Sequence, residues 1–566
     1  MIILVAIGAL AGLGTLITRT QSGADPATAL NLIPVAPPDL EERLVWLPDR
    51  PLSDQQRELE PNTRELITGS YLRAWAQWGI SLEIGQPYGL QSYFSGPALA
   101  GVTKNITETV ASGWTIRQSN LHHELELHYY ADDGSIVSFT DTNLHLVQQF
   151  QRADGQASVA SDNYLIESSH RYDVVMLLED GNWRIFQWLR TGDAKPQVAG
   201  PWNENADVGN VPPTPNGIVQ LQGDQLLLNH EPYTVAGINY YPQASPWTKF
   251  WPEYDPAQTA LDLAQIRGLG LNTVRIFLSY ADFGGAAVLP ERRAQLGDFL
   301  AQAEQTQLQV IITLFDHHTD HHPATWAADA RHLATLIPEF ANHTAILAWD
   351  IKNEPDRDYG YNSQALVDGW LRFVARHVRY HDPNHLITIG WSTPEAATAL
   401  TDIVDFVAFH YFDQPTDYPQ RVSALQAQIE RKPLLLEEFT FSTWNSPFFP
   451  GHTETEQANY YAAMLNAHQA IDSLGYLVWT LHDFDVVPLA EFRYPWQRGA
   501  QANMGVIRRN GTMKPAALLV NPSAQRKLTT ISKWQQYGKP FAMTLFVLLL
   551  LIVILVARLW QRYCHR

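Results

Sequence analysis

Eight apolar runs, each trailed by a helical pattern, occupy the second half of this 566-residue chain and leave few folds open to it. They read YTVAGINYY, LNTVRIFLSY, LQVIITLF, AILAWDIKN, LITIGW, IVDFVAFHYF, PLLLEEFTF and GYLVWTLHDF. Val, Ile and Leu fill them almost without a break, as in strands buried on both faces of a parallel sheet. Strands alternating with helices build parallel βα units. Eight such units over residues 217–522 match a closed (β/α)8 barrel, the TIM barrel, in an α/β fold class. Helix starts keep the register: Asp255-Pro256 opens one helix, and Thr453 with Glu456 reads as a capping box before another. Ahead of the first run, GIVQLQGDQLLLNHEPY reads as a hairpin that plugs the barrel bottom.

The remainder divides by texture. Residues 59–191 begin with a helical stretch, ELITGSYLRAWAQW, and continue as alternating strands, with Asp180-Gly181 marking a hairpin turn. Helix first, then long strands ending YDVVMLLEDGNWRI, resembles the small α+β cone of nuclear-transport-factor-2-like domains. No carboxylates pair at a useful spacing there, so a structural or binding role, including self-association, is expected. Residues 192–216 form a Pro/Gly/Asn linker and 23–58 a spacer. Residues 1–22 read as a signal peptide or signal anchor. Phe541–Ala557 carries no charge and is long enough to span a bilayer as a C-terminal transmembrane helix. Trp534, Tyr537, Trp560 and Tyr563 flank it as interfacial belts do, and Arg558, Arg562 and Arg566 favour a cytoplasmic tail at 558–566 after a juxtamembrane stretch at 523–540. The expectation is a protein of the cell membrane with its body outside the cytoplasm.

Composition removes several chemistries. A net charge of −19 argues against nucleic acid, whose phosphates need a basic face. The lone cysteine, Cys564, permits no intrachain disulfide and no thiolate nucleophile in the body of the protein. Eighteen tryptophans suit both packing and the stacking of sugar rings. Trp247, Trp251, Trp391 and Trp444 lie in or near loops at the barrel mouth and are candidate platforms.

In such a barrel the site lies where the strands end. The fourth run ends Asp350-Ile351-Lys352-Asn353-Glu354-Pro355, and the seventh ends Glu437-Glu438-Phe439. Two carboxyl groups roughly 5 Å apart are what a retaining glycosidase uses. One is held protonated to serve the leaving oxygen, and the other stays ionised to attack the anomeric carbon.

Asn353-Glu354-Pro355 together with Lys432-Pro433-Leu-Leu-Leu-Glu-Glu438-Phe439 resembles clan A of the glycoside hydrolases, in the pattern of family 5 cellulases and mannanases, over 217 to about 522. The resemblance implies Glu354 as acid/base, Asn353 as a ligand of the sugar 2-hydroxyl and Glu438 as nucleophile. Strand alternation agrees, turning Glu437 toward the helices. It also implies that Arg275 orients the nucleophile, that Trp479 floors the sugar site and that His410 belongs to it. Phe412 stands where a tyrosine is usual, leaving Tyr411 or a residue from another loop to bond the nucleophile. His317 or His318 would bind sugar hydroxyls. The run Asp316 to His322 reads by composition as a metal cluster, but it sits on one loop with no second ligand motif. Neither metal nor cofactor is expected.

The expected activity is retaining hydrolysis of a β-mannan or β-glucan type polysaccharide or oligosaccharide. Two alternatives share the sequence features: a membrane-tethered transglycosylase remodelling envelope polysaccharide, and a non-catalytic glycan-binding sensor, which would be free to lose one of the two carboxylates.

Overall fold

The computed structural model describes residues 44–49, 57–152, 164–193, 217–321, 325–360, 362, 364–429, 432–445 and 451–526. The expected N-terminal segment, nearly all of the linker and the apolar run at 541–557 lie outside the described residues. Among the described residues no helix is long and apolar enough to cross a membrane.

The N-terminal unit contains β1 (Leu44–Trp46), α1 (Pro61–Ile84), α2 (Gly96–Ala111), β2 (Trp114–Tyr130), β3 (Ile136–Arg152), β4 (Tyr164–Glu179) and β5 (Asn182–Asp193). The strands form one sheet in the order β1-β2-β3-β4-β5. Two boundaries differ from the sequence expectation. Leu44–Trp46, read as spacer, pairs in parallel with β2 as an edge strand, and β5 runs into the start of the expected linker. The turn between β4 and β5 is the expected hairpin: Asp180 (φ 51°) and Gly181 (φ 79°) are both left-handed, as a two-residue turn with the twist of the flanking strands requires. Tyr71 and Trp75 of α1 pack among Phe139, Val174 and Met176 of the sheet. Between them lies a buried polar trio, His123 and Tyr71 both bonded to Asp141 Oδ2 at 2.6 and 2.9 Å.

The barrel unit closes in the order β9 (Val235–Asn239), β10 (Thr273–Ser279), β11 (Gln309–Asp316), β12 (Ile346–Asn353), β13 (Leu386–Trp391), β14 (Val407–His410), β15 (Leu434–Glu438) and β16 (Gly475–Val478), with β16 pairing back onto β9. Each strand matches one of the eight apolar runs. The helices α3 (Pro256–Gly268), α4 (Pro290–Gln305), α5 (Trp326–Phe340), α6 (Gln364–His381), α7 (Tyr418–Gln426), α8 (Glu454–His468) and the short α9 (Pro495–Gln501) fall between or after them. Asp255 caps α3 by accepting from the Ala257 and Gln258 amides. Thr453 and Glu456 form the reciprocal capping box of α8. The preceding segment forms a small antiparallel sheet, β6 (Gln220–Gln222), β7 (Gln225–Leu228) and β8 (Glu231–Tyr233). Val219 and Leu226 from it join Val235, Ile311, Leu347, Phe406, Leu435 and Leu474 in one apolar cluster near the starts of the barrel strands, so the plug fills the floor. Closure depends on Gly475 (φ 130°): a Cβ there would lie 1.9 Å from the Val235 carbonyl oxygen.

Three strands carry one residue too many at their C-terminal ends. Two steps along β10, from Phe277 to Ser279, match three along β11, from Thr313 to Asp316. Three steps along β12, from Asp350 to Asn353, match two along β13. One step along β14, from Phe409 to His410, matches two along β15, from Leu436 to Glu438. An added residue interrupts the ladder and re-aims the side chain that follows it. Below each bulge the inward residues keep one parity; at the rim that parity reverses. Thr313 and Asp316, Asp350 and Asn353, Glu437 and Glu438 are thereby all turned to the same side.

Candidate active site

The site is organised around one guanidinium. Arg275 on β10 is fully buried, and a buried cation is costly unless each face finds an acceptor. Its Nη1 donates to Glu438 Oε1 at 2.6 Å and to Asn239 Oδ1 at 3.1 Å. Its Nη2 donates to Asp350 Oδ2 at 2.5 Å and to Asn353 Oδ1 at 2.9 Å. Its Nε lies 3.2 Å from Asp350 Oδ2 and 3.3 Å from Glu437 Oε1. Thr313 and the Gly390 amide complete the shell of Asp350 at 2.7 and 2.8 Å. Arg275 thus orients Glu438, and it holds two further acids besides.

Above it, His410 joins the two expected catalytic glutamates. Its Nδ1 is 3.0 Å from Glu354 Oε1 and 3.8 Å from Glu438 Oε2. Sharing one nitrogen confines those two oxygens to within about 7 Å of each other. Glu354 is also paired with Arg357 at 2.9 Å. Its backbone is left-handed (φ 48°), pinned by its amide donating to the Gly390 carbonyl at 2.7 Å. Trp247 (φ 53°), Phe315 (φ 50°) and His317 (φ 60°) share that sparsely populated conformation at the same rim. For side chains with a Cβ it costs of order 1–2 kcal/mol each, and such strain concentrates at functional sites.

Glu437 is where strand alternation misleads. It does not face the helices. The bulge at the end of β15 leaves it on the same side as Glu438, fully buried beneath it, with Oε2 3.6 Å from His410 Nε2. The barrel therefore points three glutamates, not two, at one histidine.

The charges settle accordingly. Burial alone would lower the His410 imidazole, but the surrounding glutamates, Glu438 foremost, push it up to about 10. Burial pushes the Glu438 carboxyl up to about 6, against the pull of His410 and Arg275. Burial would also raise Glu354, yet its bond to His410 and the charges of His410 and Arg357 leave it below the usual glutamate value. Glu437 is raised, chiefly by burial.

Glu354 and Glu438 border a cleft of about 750 Å³, within the range of roughly 300–1,000 Å³ typical of small-molecule sites. Asn353, Glu354, Glu438, His317 and Trp479 line it as expected. His317 is bracketed by Asp316 at 3.1 Å and Glu491 at 3.4 Å, and the Asp316 charge, opposed by burial, pushes its imidazole up to about 9. Four expectations are corrected. His318 does not line the cleft; its ring packs against Tyr280 and Phe315. Tyr411 turns away, donating its hydroxyl to the Gln414 carbonyl at 2.7 Å, and Phe412 lines the cleft instead. Of the four candidate platforms, Trp247 and Trp444 line the cleft. Trp251 is buried, bonded to the Phe277 carbonyl, and Trp391 is buried as well. Sequence reasoning missed Tyr241, whose hydroxyl donates to Asp316 at 3.1 Å, and Lys352, Asp358 and Glu491 in the cleft wall. For Tyr241 and Lys352, a place at or just beyond a strand end was the available signal. Among the described residues no three His, Cys, Asp or Glu side chains converge as a metal site would require.

The chain is similar to known glycoside hydrolases. The profile "Glycosyl hydrolases family 2, TIM barrel domain" matches residues 219–469. Mannan endo-1,4-beta-mannosidase 1 of Oryza sativa subsp. japonica is 25% identical over 47% of this chain and 78% of its own length. Mannan endo-1,4-beta-mannosidase A of Hypocrea jecorina is 24% identical over 31% of this chain, which spans about half of that enzyme's length (47%). The solved exo-beta-1,4-mannosidase of Opitutaceae bacterium strain TAV5 is 19% identical over 51% of this chain and 59% of that one, with a TM-score of 0.43. The closed eight-stranded architecture is a TIM barrel, and residues 219–469 of it are similar to the TIM barrel domain of glycosyl hydrolases.

Proposed function

We propose that the chain is a retaining β-glycosidase of the clan A type acting on a β-linked glycan, with Glu438 as nucleophile and Glu354 as acid/base. The observation that carries this is the meeting of Glu354 and Glu438 on His410 Nδ1 at the wall of the cleft, with Arg275 bonded to Glu438. Glu438, with its carboxyl at about 6, is ionised at neutral pH and held still for attack on the anomeric carbon. Glu354 serves the leaving oxygen and then the incoming water. The mannanase relatives favour a β-mannan, with β-glucan next. The cleft wall agrees with a neutral sugar, since its carboxylates Asp316, Glu354, Asp358, Glu438 and Glu491 outnumber its cations. The N-terminal unit is read as an accessory domain of the nuclear-transport-factor-2-like type. Residues 541–557 are read as a membrane anchor that holds the barrel outside the cytoplasm.

A polysaccharide panel identifies the substrate, and ¹H NMR of the first reducing end formed tests the mechanism. A β anomer is expected; an α anomer would remove Glu438 from the nucleophile role. A second expectation concerns Gly390. A Cβ there would sit 2.6 Å from Glu437 Oε2 and 2.8 Å from Arg275 Nη2. Gly390→Ala should shift that cluster and lower kcat by roughly 10²-fold, as sub-ångström to 1 Å misplacement of a catalytic group does, with substrate KM little altered. Unchanged kcat would mean the cluster tolerates displacement.

A further inference from the structure

The resting charge state of the site poses a problem for the acid/base role of Glu354, and the relay inferred from it rests on that role. Glu354 has to deliver a proton, yet its neighbours hold its carboxyl in the ionised form. The proton must be kept elsewhere, within reach.

Among the described residues Arg357 and His410 both reach Glu354, at 2.9 and 3.0 Å, but a guanidinium does not give up its proton in a protein, whereas an imidazolium does. His410 is fully buried, and its two ring nitrogens face different acids: Nδ1 faces Glu354 at 3.0 Å, and Nε2 faces Glu437 at 3.6 Å. The second is a charge contact, too long for a hydrogen bond. Glu437 is inaccessible to solvent, and neither of its carboxyl oxygens has a hydrogen bond. The charged groups facing this pair are Arg275, Asp350, Glu354 and Glu438. A buried acid without hydrogen bonds is costly to keep. The three residues that precede the glutamate pair on β15, Leu434 to Leu436, are all buried leucines. Glu437 is also too deep to touch substrate, so its effect must pass through a neighbour.

We propose that Glu437, His410 and Glu354 form a proton relay, in which the His410 imidazolium stores the proton that Glu354 delivers and Glu437 is a positioning residue that keeps the other ring proton on Nε2. In the first half-reaction the Nδ1–H bond breaks, its electron pair stays on nitrogen, and an O–H bond forms at Glu354 Oε1. His410 becomes a neutral imidazole whose remaining N–H points at the Glu437 carboxylate. Glu354 passes the proton to the glycosidic oxygen as the C–O bond breaks and Glu438 bonds to the anomeric carbon. In the second half, water displaces Glu438 from that carbon, and its proton returns through Glu354 to Nδ1. No proton is gained or lost over the cycle. Glu437 fixes the tautomer: with its carboxylate opposite Nε2, the lone pair left on the ring faces Glu354, the acid it must serve.

The test compares full-length wild type, Glu437→Gln and Glu437→Asp on two aryl β-mannobiosides. The 4-methylumbelliferyl leaving group benefits from protonation; 2,4-dinitrophenolate departs without it. Glu437→Gln is expected to lower kcat/KM at least tenfold on the first, leave the second within about twofold, and move the alkaline limb of the pH profile to lower pH. Glu437→Asp, which keeps the charge, is expected to retain the wild-type limb. Equal losses on both substrates, or an unmoved limb, would make Glu437 merely structural and overturn the relay. ¹⁵N NMR of histidine-labelled wild type gives a readout that needs no turnover, with His410 assigned by its loss in His410→Asn. Both His410 nitrogens should be protonated at pH 8, and a neutral ring there overturns the relay even if the sugar is misassigned. Absence of glycoside cleavage with a doubly protonated His410 would instead count against the proposed function alone.

Discussion

Glu438→Gln is expected to reduce turnover of an aryl β-glycoside by at least about 10³-fold, the scale on which removal of a covalent nucleophile acts. The substitution is nearly isosteric. Its amide oxygen can still accept from Arg275 Nη1, now 2.6 Å from Glu438 Oε1, so the barrel should keep its melting temperature within a few degrees. Loss of rate without loss of fold is the informative combination, read by initial rates and thermal melting on one preparation. Turnover equal to wild type would end the glycosidase reading, because no other carboxylate among those described both lines the cleft and contacts Arg275. Glu437, directly beneath, is the natural suspect for residual activity, but its full burial keeps it from any anomeric carbon.

The second large effect is on stability. Arg275→Met should cost roughly 3–5 kcal/mol, the usual consequence of leaving buried acids without their counter-charge, and lower the melting temperature by about 5–15 °C. Asp350, Glu437 and Glu438 all lean on that one cation. The loss should depend on pH in a definite direction. Burial already raises the Glu437 and Glu438 carboxyls against the pull of Arg275; without that cation both should titrate still higher, so each penalises the folded state wherever it would be ionised in the unfolded chain. That penalty is full at neutral pH and above. It fades as pH falls toward the ordinary carboxylate range, where the acids are protonated in both states. The variant should therefore lie closest to wild type near pH 4–5 and furthest from it at pH 8. A deficit that grows as the solution is acidified would contradict the role given to Arg275.

How much of the molecule is legible in its sequence depends on period and on the exceptions to it. The eight buried strands announce themselves as unbroken Val/Ile/Leu runs, and the helix caps at Asp255 and Thr453 fall where their side-chain chemistry puts them. Arg275, Asn353, Glu354, His410, Glu438 and Trp479 are legible because polar or bulky aromatic residues interrupt or end those runs. Glu437 is assigned to the wrong face because a rule of period two has no place for an added residue, and β15 has one at that point. Tyr411 and His318 fail for a related reason: rim loops leave the strand, and neighbouring groups such as the Gln414 carbonyl or the Tyr280 ring decide where their side chains go. Edge strand β1 is missed because three residues are too few to show a pattern.

The added residues at the ends of β11, β12 and β15 bear on how this site varies among relatives. In most loops a one-residue insertion or deletion is silent. Here it would act as a reversal, sending Asp316, Asn353 or Glu438 out of the cleft while everything below stayed packed. Pairwise alignments that place gaps freely at these three points will match the wrong carboxylate with the wrong role. Counting residues from the last regular pair in each ladder, at Thr313, Asp350 and Leu436, is the safer way to carry functional positions from one such barrel to another.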